Sequence, residues 1–102
     1  MNMILAALLS LVMVTSAPKD YYSFTLRNNS AKSIPLSIPT VMNPNLSPFS
    51  NSGVSLKEGQ EIFFFENKKK YLLLTVTPDL EGDTLYVNEL IKTRKVELNL
   101  DK

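Results

Sequence analysis

The chain reads as a small all-β domain, an antiparallel β-sandwich with immunoglobulin-like layers, lying after an N-terminal export signal. Three observations carry that reading. Apolar side chains recur at every second position through most of the sequence beyond residue 20. Clusters of Gly, Pro, Asn and Asp cut these runs into short lengths. Residues 4–14 form one apolar stretch in which Ser10 is the single polar residue.

That stretch, Ile4 to Val14, suits the apolar region of a signal peptide and falls well short of the roughly 20 residues needed to cross a bilayer. Thr15, Ser16 and Ala17 supply the small residues a signal peptidase requires. A cut after Ala17 would put Pro18 beside the scissile bond, where a tertiary amide is a poor substrate, so cleavage is expected after Ser16. Residues 1–16 are then a signal peptide and 17–102 one domain of about 85 residues, near the lower limit for a self-sufficient core. Met1, Asn2 and Met3 bring no Lys or Arg, which keeps an uncleaved anchor as the competing reading. After cleavage no membrane span is expected, and the expected location is the periplasm or the medium.

Tyr22, Phe24 and Leu26 alternate with Ser23, Thr25 and Arg27, predicting a first strand with one buried face, ended by Asn28, Asn29 and Ser30. Ile34, Leu36 and Ile38 alternate with Pro35, Ser37 and Pro39. Proline has no N–H for a ladder, so this second strand is expected at a sheet edge. Thr40 to Gly53, interrupted by Pro44 and Pro48, is expected as a long loop, either a crossover between sheets or a functional segment, held down by Met42, Leu46 and Phe49. Val54–Leu56 predicts a short third strand, Glu61–Glu66 a fourth, Tyr71–Thr77 a fifth, Thr84–Leu90 a sixth, and Val96, Leu98 and Leu100 a seventh. Six or seven short strands without an amphipathic helix make a sandwich, with a small barrel as the alternative. Without a Cys pair or a Trp, the word immunoglobulin-like describes layers and not ancestry.

The stretch Ser33 to Gly53, SIPLSIPTVMNPNLSPFSNSG, together with Val54 to Ile62, VSLKEGQEI, resembles small exported proteins of Gram-negative bacteria that have no assigned function. The resemblance implies an exported protein of the envelope. It carries over no catalytic or binding residue.

Composition narrows the chemistry further. The sequence holds no histidine and no cysteine, which excludes a Ser-His-Asp triad, a thiol nucleophile and imidazole- or thiolate-bound zinc. The serines sit in turn-like segments without a nucleophile motif, and no enzyme activity and no cofactor are expected. A formal charge of +1 is too near neutral for a nucleic-acid binder. Asp79, Glu81 and Asp83 surround Gly82 and form a weak calcium candidate. They lack the spacing of an EF-hand loop, and a solvated turn is the simpler reading.

Two surfaces remain as candidates for binding. In the fourth and fifth strands, alternation places Ile62 and Phe64 on one side with Leu72, Leu74 and Val76, and Phe63, Phe65, Tyr71 and Leu73 on the other, joined by Tyr86. A second apolar face of that kind needs cover from the chain itself, from an envelope protein or from a second copy in a homodimer. If strands four to seven form a meander, alternate turns share an end, so Lys68, Lys69 and Lys70 join Lys92, Arg94 and Lys95 at a basic end, opposite Glu58, Asp79, Glu81 and Asp83. A basic end suits an anionic surface component. The functional expectation is a non-catalytic exported β domain with a binding or structural role in the cell envelope; an inhibitor or enzyme acting in trans is the alternative.

Overall fold

Strict alternation in Tyr21–Asn28 produces the central strand of the molecule, β1, with Tyr22, Phe24, Leu26 and Asn28 turned inward. A computed structural model of the chain describes residues 20–100, so the expected signal, residues 1–16, lies outside the described residues. The remaining strands are β2 (Ile34–Ser37), β3 (Asn45–Leu46), β4 (Ser50–Lys57), β5 (Glu61–Glu66), β6 (Lys69–Thr75) and β7 (Thr84–Tyr86). Among the described residues one α-helix, α1 (Val87–Glu97), follows β7 without a break. The domain is thus mostly β. Its strands form two sheets, of order β4-β1-β7 and β3-β2-β5-β6.

The two sheets share one apolar core. Tyr22, Phe24, Leu26, Val54 and Leu56 from the first meet Leu36, Leu46, Ile62, Phe64 and Leu73 from the second, with Val87 of α1 added to the cluster. Burying each large apolar side chain stabilises by roughly 1.5–3 kcal/mol, which is how a cysteine-free domain of this size holds together. Of the two buried polar residues described, Asn28 and Ser37, Asn28 is fully enclosed yet satisfied. Its Nδ2 donates to the carbonyls of Lys32 at 2.7 Å, Leu46 at 3.2 Å and Ser47 at 3.1 Å, and its Oδ1 accepts from the Ser30 backbone and hydroxyl. One amide thereby ties the end of β1 to the segments before β2 and after β3.

The structure corrects four sequence-based expectations. β2 is not an edge strand: Leu36 and Ser37 pair with Phe64 and Phe63 of β5, while Ile34 and Pro35 pair with Leu46 and Asn45 of β3. The Leu36 and Ile38 N–H groups bond the carbonyls of Pro44 and Met42, so the missing donor of Pro35 points toward β5, where the ladder stops. The segment Thr40 to Gly53 is accordingly not a bare loop. It contains β3 and the first residues of β4.

The second correction is the parallel pairing of β1 with β7, Thr25 to Thr84 through Arg27 to Tyr86, which breaks the expected meander and places β7 in the opposite sheet from β5 and β6. Third, residues 87–97 are helical where the sixth strand was expected to continue and the seventh to begin. Val87, Leu90, Ile91, Arg94 and Leu98 follow a spacing of three and four and put the apolar members against the core. The helix ends in a Schellman motif: Asn99 takes φ 61°, its N–H bonds the Val96 carbonyl, and the Leu100 N–H bonds the Lys95 carbonyl at 2.8 Å. Leu98 and Leu100 pack on the core from this turn, not from a strand.

The fourth correction concerns the two faces of the β5–β6 hairpin. Ile62 pairs with Leu74 but Phe63 pairs with Leu72, leaving Leu73 as an extra residue on β6. Such a bulge shifts the alternation by one. Tyr71 therefore lies opposite Phe64 and packs on the core side, ring centroids 5.8 Å apart, and Leu73 is only 5% exposed. Phe63 and Phe65 stay on the outer side.

Candidate functional site

Lysines at the hairpin turn were expected to share an end with the cations near the C-terminus, and the structure places them as follows. Asn67 and Lys68 form the two-residue connection between β5 and β6, with φ 53° and 66°, the geometry of a type I′ turn. Lys69 and Lys70 are the first residues of β6. The Lys70 ammonium lies 5.0 Å from the centroid of the Phe63 ring, on the outer face. Lys92, Arg94 and Lys95 belong to α1 and not to a strand turn, and of the three Arg94 reaches β6, through the Leu72 carbonyl.

Three of these cations are already engaged. Lys95 Nζ stands 3.4 Å from Glu66 Oε2, linking α1 to the end of β5. Arg94 donates through Nε to the Leu72 carbonyl at 2.9 Å and pairs with Glu97 at 2.8 Å. Lys70 covers Phe63. Lys68, Lys69 and Lys92 are exposed and make no ion pair among the described residues.

The expected apolar face is divided. Tyr71 and Leu73 belong to the core side, Tyr86 stands 50% exposed on β7 in the other sheet, and Phe63 and Phe65 remain on the outside of β5. Phe63 is half-covered beside Ser37 and Lys70. Phe65 is 41% exposed and opens into a hollow.

This hollow, of about 360 Å³, lies where the start of β2, the end of β5 and one side of α1 converge. Ile34, Pro35, Phe65 and Ile91 supply its apolar lining, and Lys32, Glu66, Asn88 and Lys95 its polar groups. A second hollow of about 240 Å³ continues from it along the helix, sharing Asn88, Ile91 and Lys95 and adding Lys92. Asn88 is fixed in place, because its Oδ1 accepts the Asn29 N–H at 3.0 Å. The result is one groove with an aromatic wall and three lysines, of which Lys95 alone is balanced by a carboxylate among the described residues. Lys32, Glu66, Asn88 and Ile91 were not among the residues singled out from the sequence. Asn88, Ile91 and Lys95 would have been grouped by the helical spacing; Lys32 carries no local signal.

The acidic turn has a structural occupation. The 3-10 turn Pro78–Leu80 is held by the Thr77 hydroxyl donating to Asp79 Oδ1, and the Ser23 N–H donates to Glu81 Oε1 at 2.9 Å. The Asp83 carbonyl accepts the Thr25 N–H at 2.9 Å, so this segment is stitched to β1 as β7 begins. No three His, Cys, Asp or Glu side chains converge as metal ligands would among the described residues. Within the same residues no helix is long and apolar enough to cross a membrane. Comparison of the chain with protein-family models, with curated proteins and with solved structures finds no match.

Proposed function

We propose that this chain is an exported, non-catalytic β domain that works in the cell envelope by holding an anionic surface component in the groove beside α1. Its two sheets are, on this reading, the layers of an immunoglobulin-like sandwich, with α1 as an addition to them. One observation carries the proposal: Phe65 from β5 opens into the same groove that Lys32, Lys92 and Lys95 border from two other segments. An aromatic wall beside cations suits a ligand with an anionic head and an apolar neighbour. The hollow of about 360 Å³ is at the small end for ligand sites, which favours a headgroup over a larger molecule. Binding is preferred to catalysis because the chain has neither His nor Cys, and the groove's carboxylate, Glu66, is held by Lys95.

Vesicles of phosphatidylglycerol, with phosphatidylcholine vesicles as the neutral reference, test the proposal in a co-sedimentation assay. The exported chain should bind the anionic vesicles at low salt and release them at high salt. Reversing Lys32 and Lys92 together to Glu should weaken binding at least about tenfold, since each surface cation near an anionic membrane is worth about 1 kcal/mol. The same double variant should melt as the parent does, both side chains being exposed. Equal binding to both vesicle types, or binding indifferent to the reversal, overturns it.

A further inference from the structure

Each sheet has two outer edges, and three of the four edges in this domain are blunted. β3 is two residues long and lies between Pro44 and Pro48. β6 is flanked by α1, with Arg94 occupying the Leu72 carbonyl. β7 is three residues long and runs directly into the helix. The fourth edge, β4, is eight residues long and no described segment pairs with its outer side.

The hydrogen bonds of β1 show which groups of β4 face outward. The Ser23 carbonyl and the Thr25 N–H are used toward β7, by Gly82 and Asp83, so odd-numbered residues of β1 face β7 and even-numbered ones face β4. Their register partners, Ser52, Val54 and Leu56, therefore bond β1. Lys57 confirms the alternation, since its N–H and carbonyl both engage Gln60, away from β1. Asn51, Gly53 and Ser55 consequently present their N–H and carbonyl groups outward along an extended edge.

We propose that β4 is the self-association edge of this protein, pairing antiparallel with β4 of a second copy so that two three-stranded sheets become one of six strands. Native edges of this length are normally guarded by proline, by charge or by cover. The run SNSGVSL from Ser50 to Leu56 contains no proline and no charged residue, and no segment among the described residues pairs with its outer side. A two-fold antiparallel pairing is isologous, each copy offering the same donors and acceptors. It also sends the two Lys57 side chains to opposite ends, and a formal charge of +1 per chain adds little repulsion. Gly53, the middle of the three outward residues, comes nearest its own copy. A Cβ built there meets nothing within 4 Å, so this glycine is not required by the packing of a single copy. The pairing is distinct from the groove beside α1 and does not depend on it.

Sedimentation equilibrium of the exported chain up to about 1 mM tests this, since a strand-pair interface belongs to the small, weak class. The mass should rise from one chain to two with concentration. Ser55→Pro removes an outward N–H without touching the ladder to β1, and should abolish the rise while leaving the melting temperature close to the parent's. Gly53→Lys, which sets like charges face to face, should weaken dimerisation at least about tenfold, less so at high salt. A chain that stays monomeric throughout, or a dimer indifferent to both substitutions, overturns the proposal.

Discussion

Arg94 Nε donates to the Leu72 carbonyl at 2.9 Å, so a side chain in the last turns of α1 satisfies a backbone carbonyl of an edge strand. The same guanidinium reaches Glu97 at 2.8 Å, which keeps the fork aligned along β6. Helix and sheet are thus joined by polar contact as well as by Val87, Leu90 and Ile91.

Replacing Arg94 by Ala is expected to cost about 1–2 kcal/mol, the value of one charge-assisted bond to a part-buried carbonyl plus lost stem packing. Lys at this position should recover only part of the loss, because an ammonium cannot present the fixed fork of a guanidinium. Urea unfolding of the two variants checks both statements.

Asn28 should be the most sensitive polar position. Asn28→Ala strands the carbonyls served by Nδ2 and the Ser30 donors served by Oδ1, at about 1–3 kcal/mol for each group that water cannot reach. Asn28→Asp should be no better, since it keeps the shape but loses the donors and buries a charge. Thermal melts of both are expected well below the parent, with hydrogen exchange rising first around Lys32 and Leu46.

Phe64 and Phe65 are neighbours with opposite roles. Phe64 is 0% exposed and Phe65 41%, so Phe64→Ala should cost about 3–5 kcal/mol while Phe65→Ser leaves the domain folded. Leu73→Ser should resemble the first and not the second, because the bulge turns Leu73 inward. Circular dichroism melts of the three variants decide it. Loss of folding in Phe65→Ser would contradict the outward placement.

Lys68 holds φ 66° in the hairpin turn, a conformation that costs a side-chain-bearing residue roughly 1 kcal/mol relative to Gly. Lys68→Gly completes the Asn-Gly pair that type I′ turns favour and should raise stability by up to about 1 kcal/mol. Denaturant midpoints at two salt concentrations separate this effect from the removed charge.

Alternation made β1 legible, because it carries one apolar face through an uninterrupted period of two, and the apolar runs of β2 and β5 marked those strands as well. It failed at Leu72, Leu73 and Leu74, where three identical side chains give no mark of the bulge that shifts the register. It misled at Val96, Leu98 and Leu100, whose spacing imitates a strand although Leu98 and Leu100 lie beyond the end of α1. The helical spacing from Val87 to Leu98 was present, but β-branched Val87 and Ile91 suit either element, and only the closure of the core against α1 decides between them. The groove was legible in part. Phe65, Lys92 and Lys95 were singled out, yet their convergence with Lys32 needs the long-range pairing of β1 and β7, which no local pattern encodes.

That pairing governs when the fold can exist at all. β1 is the first of the described strands to be made, but the bond from Ser23 to Glu81 closes over 58 positions and that from Asn29 to Asn88 over 59. Until the last third of the chain has emerged, β1 has one flank bare and the core lacks Val87. Closing such distant contacts is slow, because loop entropy is spent before the contacts form. The domain therefore closes late: its sheet and its core both wait on the arrival of β7 and α1.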